Sequence, residues 1–227
     1  MRLLDIGCGF GGLLIFAAEH YGITGTGVTI SHAHCKRGNA QISRRGLKER
    51  IHLELRDYRK IRSRYERIVS VGMMEHVPRS EYETYFREIA RALTPGGIGL
   101  VHTIGCTAAV NRHDPFIQKY ISRLEPTPTI RDNRVHGETW FGGIGCGEHR
   151  SPLLLHLLGW LARFQQKRST LDPNRYDAVF QRMWEYYLSC GIAAARASDA
   201  AVYQVLFHND RSGDIPLKRV SRLAELA

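Results

Sequence analysis

Apolar and polar positions fall into short blocks along the chain, and the period of the blocks switches back and forth. Leu3-Leu4-Asp5-Ile6 is an apolar run carrying one acid, followed by the glycine-broken turn Gly7-Cys8-Gly9-Phe10-Gly11-Gly12. A short apolar run bounded by turn residues reads as a strand buried on both faces. Leu13 to Tyr21 is helix-compatible. Met1 enters the first strand almost at once, so that strand is expected as an isolated edge, lacking the preceding helix that usually covers such a domain. Gly25-Thr26-Gly27-Val28-Thr29-Ile30 reads as a second strand, residues 32–46 as a polar, basic helix, and Ile51-His52-Leu53-Glu54-Leu55 as a third strand. Tyr65 to Val71 is a fourth, with Gly72 to Val77 at its carboxyl end. Tyr82, Tyr85, Ile89 and Leu93 are spaced for one face of a helix over residues 79–92. Thr94-Pro95-Gly96-Gly97 stops that helix, and Ile98 to Ile104 is a fifth strand.

The second half is less regular. Asp114 to Ile121 reads as a short helix, but residues 122–155 show no clean periodicity, and Phe141 to Gly147 reads as a glycine-rich loop. Order returns at Leu157 to Phe164. A helix over Asn174 to Cys190 follows, with Tyr176, Phe180, Met183, Trp184, Tyr187 and Leu188 at helical spacing. Ala201 to Phe207 is a last strand, and the residues after Asn209 read as a frayed tail.

Strands alternating with helices at this spacing predict an α/β fold, a doubly wound, mostly parallel sheet with helices on both faces. One domain is expected over residues 1–227. It divides into a cofactor-binding core at 1–121, an irregular insertion at 122–155, and C-terminal helices and strand at 156–210. Such sheets bind ligands at the carboxyl ends of their strands. Gly7 to Gly12, Thr29 to Ser31, Asp57-Tyr58, Gly72 to His76 and His102 to Ile104 all fall on that edge.

The first turn carries the leading chemical signal. Its glycines let the backbone approach a ligand, and the helix that follows offers a partial positive charge at its N-terminus. Gly7, Gly9 and Gly12 satisfy the dinucleotide fingerprint. That motif requires an acid about 20 residues on, at the end of the second strand. No Asp or Glu occurs between Glu19 and Glu49, and the slot holds Thr29-Ile30-Ser31. A nicotinamide is therefore disfavoured. With Asp5 two residues before the first glycine, the turn instead has the form common to class I methyltransferases, which implies S-adenosyl-L-methionine. Asp57 is then the adenine-side acid after the third strand, or an ordinary turn residue. The cofactor-binding candidates are Asp5, Gly7, Gly9, Gly11, Thr29, Ser31, Asp57 and Tyr58.

Composition narrows the setting. The 227 residues are 43% hydrophobic and 24% charged, ordinary for a globular chain, and no apolar run reaches the length of a membrane span. The N-terminus is not a signal peptide, because Asp5 and the glycines interrupt any apolar core. Five scattered cysteines without a CxxC pair fit free thiols in a reducing cytoplasm, and no metal site is expected. The net charge of +10 is either a solvated basic face or a surface for an anionic partner. The basic cluster from Lys36 to Arg50 has no interleaved aromatics, so nucleic acid is not the expected partner.

Longer strings point further. Gly27-Val28-Thr29-Ile30-Ser31, Asp57-Tyr58-Arg59, Ser70-Val71-Gly72-Met73-Met74-Glu75-His76-Val77 and His102-Thr103-Ile104-Gly105 resemble the cyclopropane-fatty-acyl-phospholipid synthases and the related mycolic acid cyclopropane synthases. Phe180 to Leu188 and Val202 to Phe207 are similar to that family's C-terminal region. The resemblance implies methylene transfer from S-adenosylmethionine to the cis double bond of an unsaturated phospholipid, at an anionic membrane surface. It implies a cytoplasmic, peripherally membrane-associated protein, with a homodimer as an expected assembly. It also implies a bound bicarbonate as the base, held by Glu75, His102 and the backbone of Ile104. Read singly, Glu75 could cap the helix near Arg79, and His102 could be a core histidine. The family's upstream region, with a cysteine in the bicarbonate site, has no counterpart before the first strand here. Its tyrosine position holds Leu153, the position of its glutamine in the helix after the second strand holds His34, and residues 122–155 do not match it. That stretch is expected to be a segment read in a shifted frame or part of a decaying gene copy. The other readings are a C-methyltransferase of fatty acids or small molecules without ring closure, and a degenerate, inactive copy.

Overall fold

In a computed structural model, residues 1–106, 115–121, 143–149, 151–197 and 200–209 are described. In chain order the elements are β1 (Arg2–Ile6), α1 (Gly12–Tyr21), β2 (Thr24–Thr29), α2 (His32–Arg44), β3 (Ile51–Leu55), β4 (Tyr65–Val71), α3 (Tyr82–Ala92), β5 (Leu93–Cys106), β6 (Gly143–His149), α4 (Ser151–Lys167), α5 (Ala178–Arg196) and β7 (Ala200–His208). The strands join one sheet in the order β3-β2-β1-β4-β5-β7-β6. Pairs among β1 to β5 are parallel, while β7 runs antiparallel to both β5 and β6. This is the doubly wound, mostly parallel sheet that the alternation predicts.

The first strand is not an edge. β1 lies between β2 and β4, because a strand as apolar as Leu3-Leu4-Asp5-Ile6 must be covered on both faces, and only a central position does that. One face packs Leu4, Ile6 and Ile68 against Tyr82, Tyr85, Phe86 and Ile89 of α3. The other packs Leu3, Ile51 and Leu53 against Leu14, Ile15 and Ala18 of α1 and Ile42 of α2. At roughly 2 kcal/mol for each fully buried side chain of this size, the four α3 residues alone hold that helix to the sheet.

Boundaries follow local chemistry. Ser31 caps α2, its Oγ accepting from the His34 N–H at 3.3 Å. A 3-10 turn at Arg79–Glu81 precedes α3, so the α-helix begins at Tyr82 rather than at residue 79. Asp177 caps α5 by accepting from the Phe180 N–H at 2.7 Å. That cap moves the helix start from Asn174 to Ala178, and the alanine-rich Ala193-Ala194-Ala195 carries its end on to Arg196. Ile117–Ile121 forms a single π-helical turn.

The stretch expected as irregular insertion also contains regular structure. Gly143–His149 is a strand paired along β7, and α4 begins at Ser151. Residues of the loop and of the expected insertion before Gly143, Asp114 of the short helix, and the tail after Asn209 lie outside the described residues.

Candidate active site

The sheet reverses its winding between β1 and β4, and the turns leaving β1, β2, β3 and β4 meet at their carboxyl ends. They enclose a cavity of about 640 Å³. Its walls include Gly7 and Gly9 after β1, Thr29, Ile30 and Ser31 after β2, and Asp57, Tyr58 and Arg59 after β3. Gly72 and Met73 follow β4, and Glu81 lies before α3.

The first turn is held in shape by backbone bonds. The Gly7 and Cys8 N–H groups both donate to the Val28 carbonyl, at 3.0 and 3.1 Å, and Gly11 donates to the Cys8 carbonyl at 2.9 Å. Gly7 has φ of 76°, and a Cβ there would lie 2.7 Å from Cγ of Met73, so the β1 and β4 turns touch only because this residue is glycine. Gly11, at φ 77°, is the N-cap of α1 and stands behind the cavity wall with its helix N-terminus toward the turn. Asp5 is also behind the wall, 3% exposed. Burial pushes its carboxyl up to about 7, and burial beside Asp5 pushes the Cys8 thiol up to about 12, so that thiol stays protonated.

Beyond the glycines, Thr29 Oγ1 accepts from the Ser31 N–H at 3.2 Å, so the threonine and serine brace each other where a dinucleotide enzyme would present an acid. Asp57 is a turn residue that also faces the cavity, and its carboxylate caps the turn at Tyr58–Lys60. The Arg59 guanidinium binds both its oxygens and holds its carboxyl below the usual range. Tyr58 stacks edge-on to Tyr85 with ring centroids 5.6 Å apart, and burial raises its hydroxyl pKa.

Glu75, His102 and Ile104 are not among the residues that line the cavity, and the side chains of His102 and Ile104 leave β5 on the face opposite to Thr103, which is the residue that meets Glu75. Glu75 sits in a one-turn 3-10 helix at Met74–His76 and does not cap α3. Thr103 of β5, fully buried, donates from Oγ1 to Glu75 Oε2 at 2.8 Å. The Gly72 N–H donates to the His102 carbonyl at 2.9 Å, tying the Glu75 turn to the end of β5. His102 Nδ1 lies 3.5 Å from Nε2 of Gln204 on β7, so this histidine has a polar neighbour across the strand pair. Ile104 is partly exposed one residue beyond Thr103. Leu153, at the family's tyrosine position, is buried in a cluster with Ala195 and Val202.

Four contributors carry no role in the sequence reading: Arg59, Glu81, Thr103 and Gln204. Gln204 could have been flagged, as the one amide in a mostly apolar strand. Thr103 stands inside a string already singled out, but nothing in the sequence tells which way its hydroxyl points.

With the glycine turn, the switch point and the Glu75–Thr103 contact together at one edge, the similarity to known proteins becomes decisive. The mycolic acid cyclopropane synthetase family model matches residues 1–205, a range that includes the stretch 122–155. This chain belongs to that family. It is 39% identical to the cyclopropane-fatty-acyl-phospholipid synthase of Escherichia coli K12 over 207 residues, 91% of this chain and 53% of that protein. It is 31% identical to the tuberculostearic acid methyltransferase UfaA1 of Mycobacterium tuberculosis, over 89% of this chain and 49% of that one. The chain thus spans about half the length of the curated relatives it matches. The fold of the family is plain in the cyclopropane synthase MmaA2 of Mycobacterium tuberculosis, which superposes with a TM-score of 0.82 at 21% identity, covering 92% of this chain and 78% of that one.

Proposed function

We propose that the chain is an S-adenosylmethionine-dependent enzyme that inserts a methylene across the cis double bond of an unsaturated phospholipid acyl chain, closing a cyclopropane ring. The observation that carries this reading is the 39% identity to a cyclopropane-fatty-acyl-phospholipid synthase across 91% of the chain. When bound, the cofactor would supply an electrophilic methyl to the alkene π pair, its S–CH3 bond breaking to leave S-adenosylhomocysteine, and loss of a proton from that carbon to a nearby base would close the ring.

The residues present fit such a cofactor. The positive end of α1 suits an amino-acid carboxylate. Ile30 is 81% exposed at the cavity and offers an apolar surface to a purine, while Asp57 offers an acceptor to its amine. Thr29 and Ser31 carry hydroxyls where ribose would be read. Glu75, His102 and the Ile104 backbone would hold bicarbonate as the proton acceptor. Thr103 engages Glu75 Oε2, so Oε1 is the atom left for that contact. The surplus of +10 supports a substrate presented at an anionic membrane surface. Among the described residues, no helix is long and apolar enough to cross a membrane.

A second reading, methyl transfer to a fatty acyl chain without ring closure, is favoured by 38% identity over 96% of this chain to a probable fatty acid methyltransferase of Pseudomonas putida. The test has two stages. Calorimetric titration with S-adenosylmethionine should show saturable binding, and no binding would remove both readings in favour of a degenerate copy. Incubation with vesicles of a monounsaturated phospholipid should then add one methylene to the lipid and make the acyl chain resistant to ozone. A product of that mass still cleaved by ozone would select the second reading.

A further inference from the structure

Arg59 lines the cavity, as Arg56 does, and its contacts restrict what its neighbour Asp57 can bind. The Arg59 backbone N–H donates to Asp57 Oδ1 at 2.9 Å. Its Nε lies 3.0 Å from Oδ1 and 3.2 Å from Oδ2, and Nη2 donates to Oδ2 at 2.6 Å. Three N–H donors, with Nε shared between the two oxygens, are thus spent on a carboxylate that has about four acceptor positions. From its other edge, Nη1 lies 3.7 Å from Glu81 Oε2, on the turn that leads into α3. Asp57, Arg59 and Glu81 all line the cavity, so the guanidinium spans from the β3 side of the wall to the α3 side.

We propose that Arg59 is a positioning residue for base recognition: by holding both oxygens of Asp57 it leaves that carboxylate one acceptor, matched to a single N–H of an adenine and not to the paired hydroxyls of a ribose. The inference rests on the S-adenosylmethionine reading and adds to it the residue that sets the selectivity of the pocket. Half-exposed ion pairs add little net stability, so the contribution of the pair lies in its fork geometry, which fixes the carboxylate plane. A lysine would keep the charge and lose the fork.

The experiment is calorimetric titration of the wild-type protein, Arg59→Ala, Arg59→Lys and Glu81→Gln with S-adenosylhomocysteine and with S-inosylhomocysteine. The inosine compound replaces the 6-amine donor with a carbonyl acceptor and carries its N–H donor at N1 instead, so the donor is displaced from the position that faces Asp57. Wild type should prefer the adenine compound by about tenfold or more, the scale of one charge-assisted hydrogen bond lost and one acceptor left facing a carboxylate. The preference should fall to about threefold or less in Arg59→Ala and lie between in Arg59→Lys. Glu81→Gln, which loosens only the far end, should keep most of it. A purely structural role would weaken both ligands equally and leave the ratio unchanged. A folded Arg59→Ala with the wild-type ratio overturns the inference, as does a wild type without preference. If Arg59→Ala does not fold, a wild-type ratio in Arg59→Lys overturns it equally. Failure of the wild type to bind S-adenosylhomocysteine at all would instead sink the cofactor reading beneath it.

Discussion

Asp5 sits on the interior strand β1 with its carboxyl almost wholly removed from water, and its pKa of about 7 reports what that costs. In the unfolded chain the same group titrates near its ordinary value of 3.8. The folded state therefore keeps a proton that the unfolded state has already released, and stability falls as pH rises from about 4 to about 7, then levels off. Asp5→Asn should abolish that slope, gaining on the wild type by on the order of 4 kcal/mol at most across the window, as read from urea unfolding of the cofactor-free protein at pH 4 and pH 8. Thr103 makes the opposite kind of contribution, a buried hydroxyl whose donor is used on Glu75. Thr103→Val keeps the shape and removes the donor. Turnover on unsaturated phospholipid vesicles should drop about tenfold with cofactor affinity within about twofold, and Thr103→Ser should restore it. At this scale the sequence is legible where backbone geometry demands a residue type, as at Gly7 against Met73. It is silent where two side chains choose each other, as Arg59 and Asp57 or Thr103 and Glu75 do, because rotamers are settled by packing.

The elements divide in the same way. The parallel strands and their helices were readable because burial on both faces, helical spacing and glycine stops all agreed. β6 was not readable. Its alternating Gly143, Gly145 and Gly147 carry low strand propensity, and the strand exists because β7 offers it a complete backbone ladder. β7 is itself locked on its other side. Gly99 of β5 stands opposite Phe207, and a Cβ at Gly99 would overlap that ring. Gly99→Ala should destabilise the protein by about 1–3 kcal/mol, measured as a shift in the urea midpoint without change of slope, since the strand pair must part or the ring must leave its rotamer.

Across the whole molecule, the two ends of the described chain lie in one sheet, with β1 inside it between β2 and β4 and β7 inserted between β5 and β6. The sequence pattern supplied the layers and the ligand-binding edge, but strand order is a long-range property. An antiparallel strand arriving last, between two earlier neighbours, leaves no local mark. That insertion orders folding in time. Among the described residues, every element that lines the cavity is complete once residue 106 has been synthesised, whereas β6 must wait for a neighbour that begins at Ala200. Between those moments a nascent chain in which the first half had folded would carry the glycine turn after β1 beside an open β5 edge, the kind of exposed ladder that recruits other strands. Cofactor binding at that stage would stabilise the first half by mass action while the rest is still emerging.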